Sequence, residues 1–149
     1  MPSNGRRVLA DVNVWLATIV EQHPHHLPAV SWWRDEVLPP RSTVCFCRLS
    51  QLGLLRLLTN EVVMGTSRRT AEQAWQDYEQ LAAQRSVDYL DEPAGLAQLL
   101  RRHTSGQERS ASLWTDAYLA AFAQVADLEL TTFDRGFRRF SGLRLHTLA

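Results

Sequence analysis

The chain has 149 residues, 45% hydrophobic and 21% charged, which predicts that residues 1–149 form a single globular domain. Sixteen basic and sixteen acidic residues give a formal net charge of zero, which argues against nucleic-acid binding through a broad positive surface. No uncharged run is long enough to span a bilayer, and no signal-peptide cleavage pattern follows the first apolar stretch, so we expect a soluble cytoplasmic protein.

The first half of the chain alternates short apolar runs with helical patterns. A turn is expected at Asp11, Pro24 closes the first helix, and the pair Pro39 and Pro40 breaks the chain. The last helix of this half is apolar nearly all round, so we expect it to be buried in the core or against a partner. The predicted elements are a strand at 7–10, helices at 12–20 and 25–37, a strand at 43–46 and a helix at 48–59.

The second half continues the alternation after a loop at 65–69. Thr70 and Gln73 have the spacing of a capping box, and Pro93 suits the first turn of a helix. The predicted elements are a helix from 70 to about 84, a strand at 87–89, a helix at 93–103, a loop at 104–110, a helix at 112–126, a strand at 129–133, a turn or short helix at 134–140 and a strand at 143–147.

This alternation of strands and helices predicts an α/β fold with a parallel sheet and helices on both of its faces. In such folds the working site lies beyond the carboxyl ends of the strands, near the point where the strand order reverses. Asp11 directly follows the first strand and Asp134 follows the strand at 129–133. Asp116 lies in the first turn of a helix, from which its side chain can face the same crevice.

Each of these acids also has an ordinary structural explanation. Asp11 can cap the following helix, Asp116 can complement a helix dipole, and Asp134 can begin a turn. Three carboxylates that converge at one end of a sheet repel one another, however, and a cation would offset that repulsion. Ligation by oxygen alone selects Mg²⁺ or Mn²⁺ over zinc, and such ions support phosphodiester hydrolysis.

Three stretches of the sequence resemble the acidic motifs of PIN-domain ribonucleases, in particular VapC-type toxins of toxin–antitoxin pairs. The stretches are LADVNVWLA, WTDAYLAAFA and LTTFDRGF, and FCRLSQLGLLRLLTN is similar to a segment of one branch of that family. The resemblance runs from Val8 to about Leu145 in the same order. It implies a PIN-like three-layer sandwich, in which helices flank a central parallel sheet.

The resemblance also implies residue roles and partners. Asp11, Asp116 and Asp134 would be the catalytic, metal-holding acids, and Asn13 and Thr132 would line their pocket and orient the acids or a water. The implied activity is RNA cleavage by a metal-activated water. The implied partners are a second copy of the chain and a VapB-type antitoxin, which would cover the crevice and place a basic side chain among the acids. The apolar helices at 48–59 and 112–126 are the expected surfaces for these partners.

One position departs from the family pattern. Many members carry a Glu in the helix after the second strand, where this chain has Gln51, whose amide oxygen can ligate a metal without adding charge. This leaves open a catalytically impaired PIN-like binding module. A further alternative is a phosphatase with Asp11 as nucleophile, but that class expects a second Asp where Asn13 stands and also a Lys, and this chain has no Lys.

Three other groups of residues allow two interpretations each. Arg135, Arg138 and Arg139 can bind RNA phosphates or form a solvated face. The histidines at 23, 25 and 26 lack further ligands at metal-binding spacing, which favours a polar surface. The five tryptophans are scattered, which favours core packing over base stacking.

Cys45 and Cys47 lie two residues apart in a predicted strand, so both side chains point to the same face and a disulfide between them is not expected. No second cysteine pair completes a zinc site. Free buried thiols in a reducing compartment are therefore predicted.

Overall fold

The computed structural model describes residues 5–38 and 42–148. Five strands in these residues form one parallel sheet of order β3-β2-β1-β4-β5. The strands are β1 (Arg6–Ala10), β2 (Ser42–Phe46), β3 (Val87–Tyr89), β4 (Glu129–Thr132) and β5 (Leu145–Thr147).

Seven α-helices connect or follow these strands in the described part of the chain. They are α1 (Val12–Ile19), α2 (His26–Trp32), α3 (Arg48–Leu58), α4 (Glu61–Met64), α5 (Ala71–Ala82), α6 (Leu96–Thr104) and α7 (Leu113–Val125). A π-helical turn at Trp33–Val37 extends α2, and 3-10 turns are found at Gly65–Ser67 and Arg135–Arg139. No helix in the described ranges is both long and apolar enough to cross a membrane.

The helices cover both faces of the sheet, so the predicted three-layer α/β sandwich is confirmed. Strand residues alternate between two apolar clusters: Val8 and Val44 face α1–α5, whereas Leu9 and Cys45 face α6 and α7. Period-two alternation on strands that are buried on both faces explains why their sequences are almost continuously apolar. Cys47 shares the cluster of Cys45, and both are buried free thiols.

The sheet order sets the position of the crevice. From β1 the chain proceeds through β2 to β3 on one side, then crosses to β4 and β5 on the other side. The strand order therefore reverses between β1 and β4, whose carboxyl ends are followed by Asp11 and by Asp134, respectively. This is the point of a doubly wound sheet at which ligands bind.

Most of the predicted elements are observed, with two differences. The helix predicted from Pro93 begins only at Leu96, because Gly95 has a positive φ of 87° that helical residues do not adopt. The segment before Thr70 is partly helical, with α4 followed by a 3-10 turn. The capping box of α5 is confirmed, since Gln73 N donates to Thr70 Oγ1 and Thr70 N donates to Gln73 Oε1. The break predicted at residues 39–40 lies outside the described residues.

Candidate metal-dependent active site

Asp11 connects β1 to α1 and is held by two hydrogen bonds. Its Oδ1 accepts from Val12 N at 2.7 Å, and its Oδ2 accepts from Thr132 Oγ1 at 2.9 Å. The residue is only 9% exposed. Asp11 is therefore the N-cap of α1, as its position after a strand suggests, and the same carboxylate also faces the end of β4.

Thr132 links Asp11 to the turn that carries Asp134. Its buried hydroxyl accepts from Asp134 N at 2.9 Å while it donates to Asp11. Asp134 is exposed, and its Oδ1 accepts from Gly136 N at 2.7 Å, which begins the 3-10 turn at Arg135–Arg139. The local turn therefore fixes one oxygen of Asp134 and leaves the other toward solvent or a ligand.

Asp116 lies in the first turn of α7 and is 9% exposed. Its Oδ2 accepts a hydrogen bond from Arg139 Nη2 at 3.1 Å. The guanidinium of Arg139 also lies 4.8 Å from the centroid of the Phe140 ring. Arg139, which the sequence suggests as a phosphate-binding surface residue, is thus paired with one of the three acids.

The three acids interact electrostatically. The pKa of Asp11 is raised to about 6, chiefly by burial and to a smaller extent by the carboxylates of Asp116 and Asp134, while hydrogen bonds from Thr132 and Val12 lower it. Burial also raises the pKa of Asp116, an effect that Asp134 increases and that Arg139 opposes. Two buried carboxylates and a third nearby therefore form a region where a cation is favoured.

The chemistry of the donors fits a hard divalent ion, because carboxylate oxygens and a threonine hydroxyl are oxygen ligands of the kind that Mg²⁺ and Mn²⁺ prefer. Within the described ranges, however, no three side chains of His, Cys, Asp or Glu are already grouped as a metal site. One oxygen of Asp116 faces a guanidinium instead, so Arg139 stands where a cation is needed. A metal held by all three acids would require their side chains to rearrange.

Gln51 and Asn13 differ in burial and in their contacts. Gln51 is buried in α3, where its Oε1 accepts from Arg48 Nη1 at 2.6 Å and its side chain also reaches the Tyr78 hydroxyl. The oxygen that would serve a metal is therefore engaged by a cation of the same helix. Asn13 is exposed in the first turn of α1, two residues after Asp11.

The arginines and histidines near the site differ in exposure. Arg135, Arg138 and Arg139 are all exposed residues, and Arg139 is paired with Asp116. His25 is exposed and stacks on Phe133, with 4.4 Å between ring centroids, a contact that sequence reasoning missed because the two residues are far apart in the chain. His26 is instead tied by Nδ1 to the carbonyl oxygen of Ala17 at 2.7 Å.

The tryptophans are not all core residues, contrary to expectation. Trp15 stacks on Phe46 with a centroid distance of 3.8 Å, and Trp32 is buried. Trp75 and Trp114 are exposed because their positions on α5 and α7 face away from the sheet. The scattered spacing could not separate these cases.

Comparison with known proteins agrees with the fold. The sequence matches the PIN domain family over residues 8–143. It is 38% identical over 146 residues to Ribonuclease VapC41 of Mycobacterium tuberculosis, covering 95% of this chain and 99% of that protein. It is also 30% identical over 136 residues to Ribonuclease VapC31 of the same species, covering 91% and 94% of the two chains.

A solved structure with a similar fold is that of VapBC2 from Rickettsia felis bound to a promoter DNA fragment, with a TM-score of 0.70, 13% identity, and 96% and 99% coverage of this chain and that one. Mycobacterium tuberculosis VapC20, described as a sarcin-ricin loop cleaving toxin, has a TM-score of 0.64 at 17% identity and covers 91% and 95%. At these identities the structures support the fold, while the relative of 38% identity supports the family. The chain belongs to the PIN-domain family and is a ribonuclease of the VapC type, the toxin class of toxin–antitoxin pairs.

Proposed function

We propose that residues 1–149 act as one Mg²⁺- or Mn²⁺-dependent endoribonuclease domain, with Asp11, Asp116 and Asp134 as the metal-holding acids. The observation that carries this proposal is the placement of the three carboxylates at the point where the strand order reverses, close enough that Asp116 and Asp134 raise the pKa of Asp11. The three acids would hold a divalent ion, which would offset that repulsion and supply the Lewis acidity that phosphodiester hydrolysis needs.

The protein's own groups would orient and neutralise the reacting atoms. Thr132 holds the Oδ2 of Asp11 in one direction, which leaves the carboxylate preorganised toward the crevice. The exposed Arg135 and Arg138 follow Asp134 on the same turn, and their planar guanidinium groups can donate paired hydrogen bonds to RNA phosphates. Asn13 would contribute an amide to the rim of the site, beside the buried Asp11.

Gln51 has a supporting role in this proposal. Its amide oxygen is paired with Arg48, so it would reach a metal only if that pair opens. Because Gln51 carries no charge, the site has three formal negative charges whether or not the pair opens, which is the basis of the impaired-module alternative. Activity measured over a range of metal concentrations separates an impaired site from an active one.

We further propose that the chain forms a homodimer and is neutralised by a VapB-type antitoxin. The apolar helix α7 does not provide most of that surface, because its residues from Ala117 to Ala123 pack largely inside the protein, leaving Trp114 exposed near its start. The outer faces of α3 and α4 are the better candidates, since Leu52 is 52% exposed and Val62 is 95% exposed.

The proposed compartment is the reducing cytoplasm. Cys45 and Cys47 are free and buried, and burial raises the pKa of the Cys45 thiol to about 11, which keeps it protonated and unreactive. Such thiols suit an intracellular environment, where disulfides are rare.

The direct test is RNA cleavage during titration with Mn²⁺, using the wild type and Asp116→Asn. We expect metal-dependent cleavage by the wild type and none by the variant, because the variant loses a charged ligand. Expression of the wild type alone should arrest growth of a bacterial host, and Asp116→Asn should remove that arrest. Folded wild type without RNA cleavage at any metal concentration would favour the impaired module. Hydrolysis of p-nitrophenyl phosphate in its place would favour the phosphatase.

A further inference from the structure

Arg139 is paired with one of the three acids, although the residue itself is exposed. Its Nη2 donates to Asp116 Oδ2 at 3.1 Å, and its side chain is 30% exposed. The ring of Phe140 supports the guanidinium from one side at 4.8 Å. Two contacts of different kinds therefore fix the cation against the carboxylate.

The backbone of the turn makes room for this arrangement at Gly136. A Cβ atom at Gly136 would lie 3.1 Å from Arg139 Nη1 and 3.0 Å from Asp134 Oδ1. The guanidinium therefore passes over Gly136, with Asp116 on one side and the turn that begins at Asp134 on the other. A side chain at position 136 would crowd both the guanidinium of Arg139 and the carboxylate of Asp134.

A divalent ion bound at Asp116 Oδ2 would take the oxygen that Arg139 now contacts. Two cations that require the same carboxylate oxygen compete. The ion pair between Arg139 and Asp116 and a metal bond at that oxygen are therefore mutually exclusive. An arginine displaced from Asp116 remains tethered beside the crevice. The long side chain of Arg139 and the paired N–H donors of its guanidinium suit a phosphate of a bound nucleic acid.

We propose, resting on the proposed ribonuclease function, that Arg139 is a built-in counter-cation that occupies the metal's place at Asp116 and transfers to an RNA phosphate when the metal binds. Arg139 is a positioning residue in the metal-free protein and a substrate-binding residue in the loaded one. Metal and RNA then bind cooperatively, because RNA stabilises the released position of Arg139 and thereby favours metal at Asp116.

The test compares Arg139→Gln with Arg138→Gln, a matched variant that removes the same charge from the adjacent exposed position. Calorimetric titration with Mn²⁺ in the absence of RNA measures the competition. We expect Arg139→Gln to bind Mn²⁺ roughly three- to tenfold more tightly than Arg138→Gln, because only the former frees a ligand oxygen. Equal affinities of the two variants would overturn the competition between Arg139 and the metal.

The second measurement is the binding of a mixed-sequence 2′-O-methyl RNA oligonucleotide at saturating Mn²⁺, which reports affinity without cleavage. We expect Arg139→Gln to weaken this binding more than Arg138→Gln does. Unchanged RNA affinity would overturn the transfer to phosphate. Thermal unfolding checks the fold of each variant. Arg139→Lys keeps the charge but loses the planar guanidinium, so its Mn²⁺ and RNA affinities should lie between those of the wild type and Arg139→Gln. An Arg139→Lys protein that matches Arg139→Gln in Mn²⁺ affinity would count against competition by charge.

Failure of this inference can be distinguished from failure of the proposed function. The proposed metal site itself is contradicted if Asp116→Asn binds Mn²⁺ as tightly as the wild type. A clear loss of Mn²⁺ affinity in Asp116→Asn, together with equal affinities of the two arginine variants, keeps the metal site and overturns only the role of Arg139.

Discussion

Thr132 Oγ1 donates a 2.9 Å hydrogen bond to Asp11 Oδ2, although 121 positions separate the two residues in the chain. The contact exists because β1 and β4 are neighbours in the sheet and end at the same edge. The same hydroxyl accepts from Asp134 N, so one buried side chain orients two acids. Thr132 is therefore the structural centre of the candidate site.

Thr132→Val should destabilise the metal-free protein by about 1–2 kcal/mol, because it removes a buried donor from Asp11 and a buried acceptor from Asp134 N. It should also raise the pKa of Asp11 further, since the hydrogen bond from Thr132 lowers it, and so weaken Mn²⁺ binding at pH 7. Urea unfolding and calorimetric titration measure the two effects.

Thr131→Val is the matched control. Thr131 Oγ1 is buried and has no hydrogen-bond partner among the described residues, so replacing the hydroxyl with a methyl group should be neutral or stabilise the protein by up to about 1 kcal/mol. A loss of stability in Thr131→Val as large as that in Thr132→Val would mean that the Thr131 hydroxyl also makes a stabilising hydrogen bond.

Asp11→Asn should change the pH dependence of stability in the presence of EDTA. The folded-state pKa of Asp11 is raised to about 6, so the folded protein holds this proton more tightly than the unfolded chain does. The contribution of Asp11 to stability is therefore greatest below the ordinary pKa of Asp and decreases as the pH rises to about 6, by about 2–3 kcal/mol in total. Asparagine is neutral at every pH, so Asp11→Asn should gain on the wild type between pH 4 and pH 7.

Urea unfolding of both proteins at several pH values checks this expectation. Mn²⁺ added at pH 8 should stabilise the wild type and have little effect on Asp11→Asn, because the cation offsets the same buried charge. A stability difference between the wild type and Asp11→Asn that stays constant from pH 4 to pH 8 would show that burial does not raise the pKa of Asp11.

Gln51→Glu by itself should raise Mn²⁺ affinity less than threefold, because the new carboxylate would be neutralised by Arg48, whose Nη1 lies 2.6 Å from Gln51 Oε1. In an Arg48→Gln background the added charge is uncompensated, and we expect Mn²⁺ to bind about tenfold more tightly. Calorimetry on the wild type, both single variants and the double variant gives the coupling. No gain in the double variant would place Gln51 outside the metal site.

Gly53→Ala should destabilise the protein by about 1–3 kcal/mol through overpacking, even though alanine favours helices more than glycine does. A Cβ at Gly53 would lie 2.7 Å from Val12 Cγ2, so α3 and α1 must separate or Val12 must move. Because Val12 follows Asp11, this shift should also lower Mn²⁺ affinity. The double variant Gly53→Ala, Val12→Ala removes the clash, and failure to recover stability there would point to a different cause.

The sequence determined the features that are encoded within a few residues of each other. Apolar periodicity predicted the five strands and most helices, and the side chains of Thr70 and Gln73 predicted the start of α5. The alternation of strands and helices was enough to put Asp11 and Asp134 after strands that end at one edge of a parallel sheet. Pro93 misled the prediction, because the conformation of Gly95 decides where α6 begins.

Only the tertiary structure decided which distant side chains meet. Nothing in the spacing of Arg139 separates it from Arg138, yet packing over Gly136 and against Phe140 places one on Asp116 and leaves the other in solvent. The apolar pattern of α7 likewise does not reveal which of its residues, such as Ala117 and those at 119–123, pack within the protein. Such contacts depend on sheet order and side-chain rotamers across tens of residues, whereas periodicity and capping depend only on neighbouring residues.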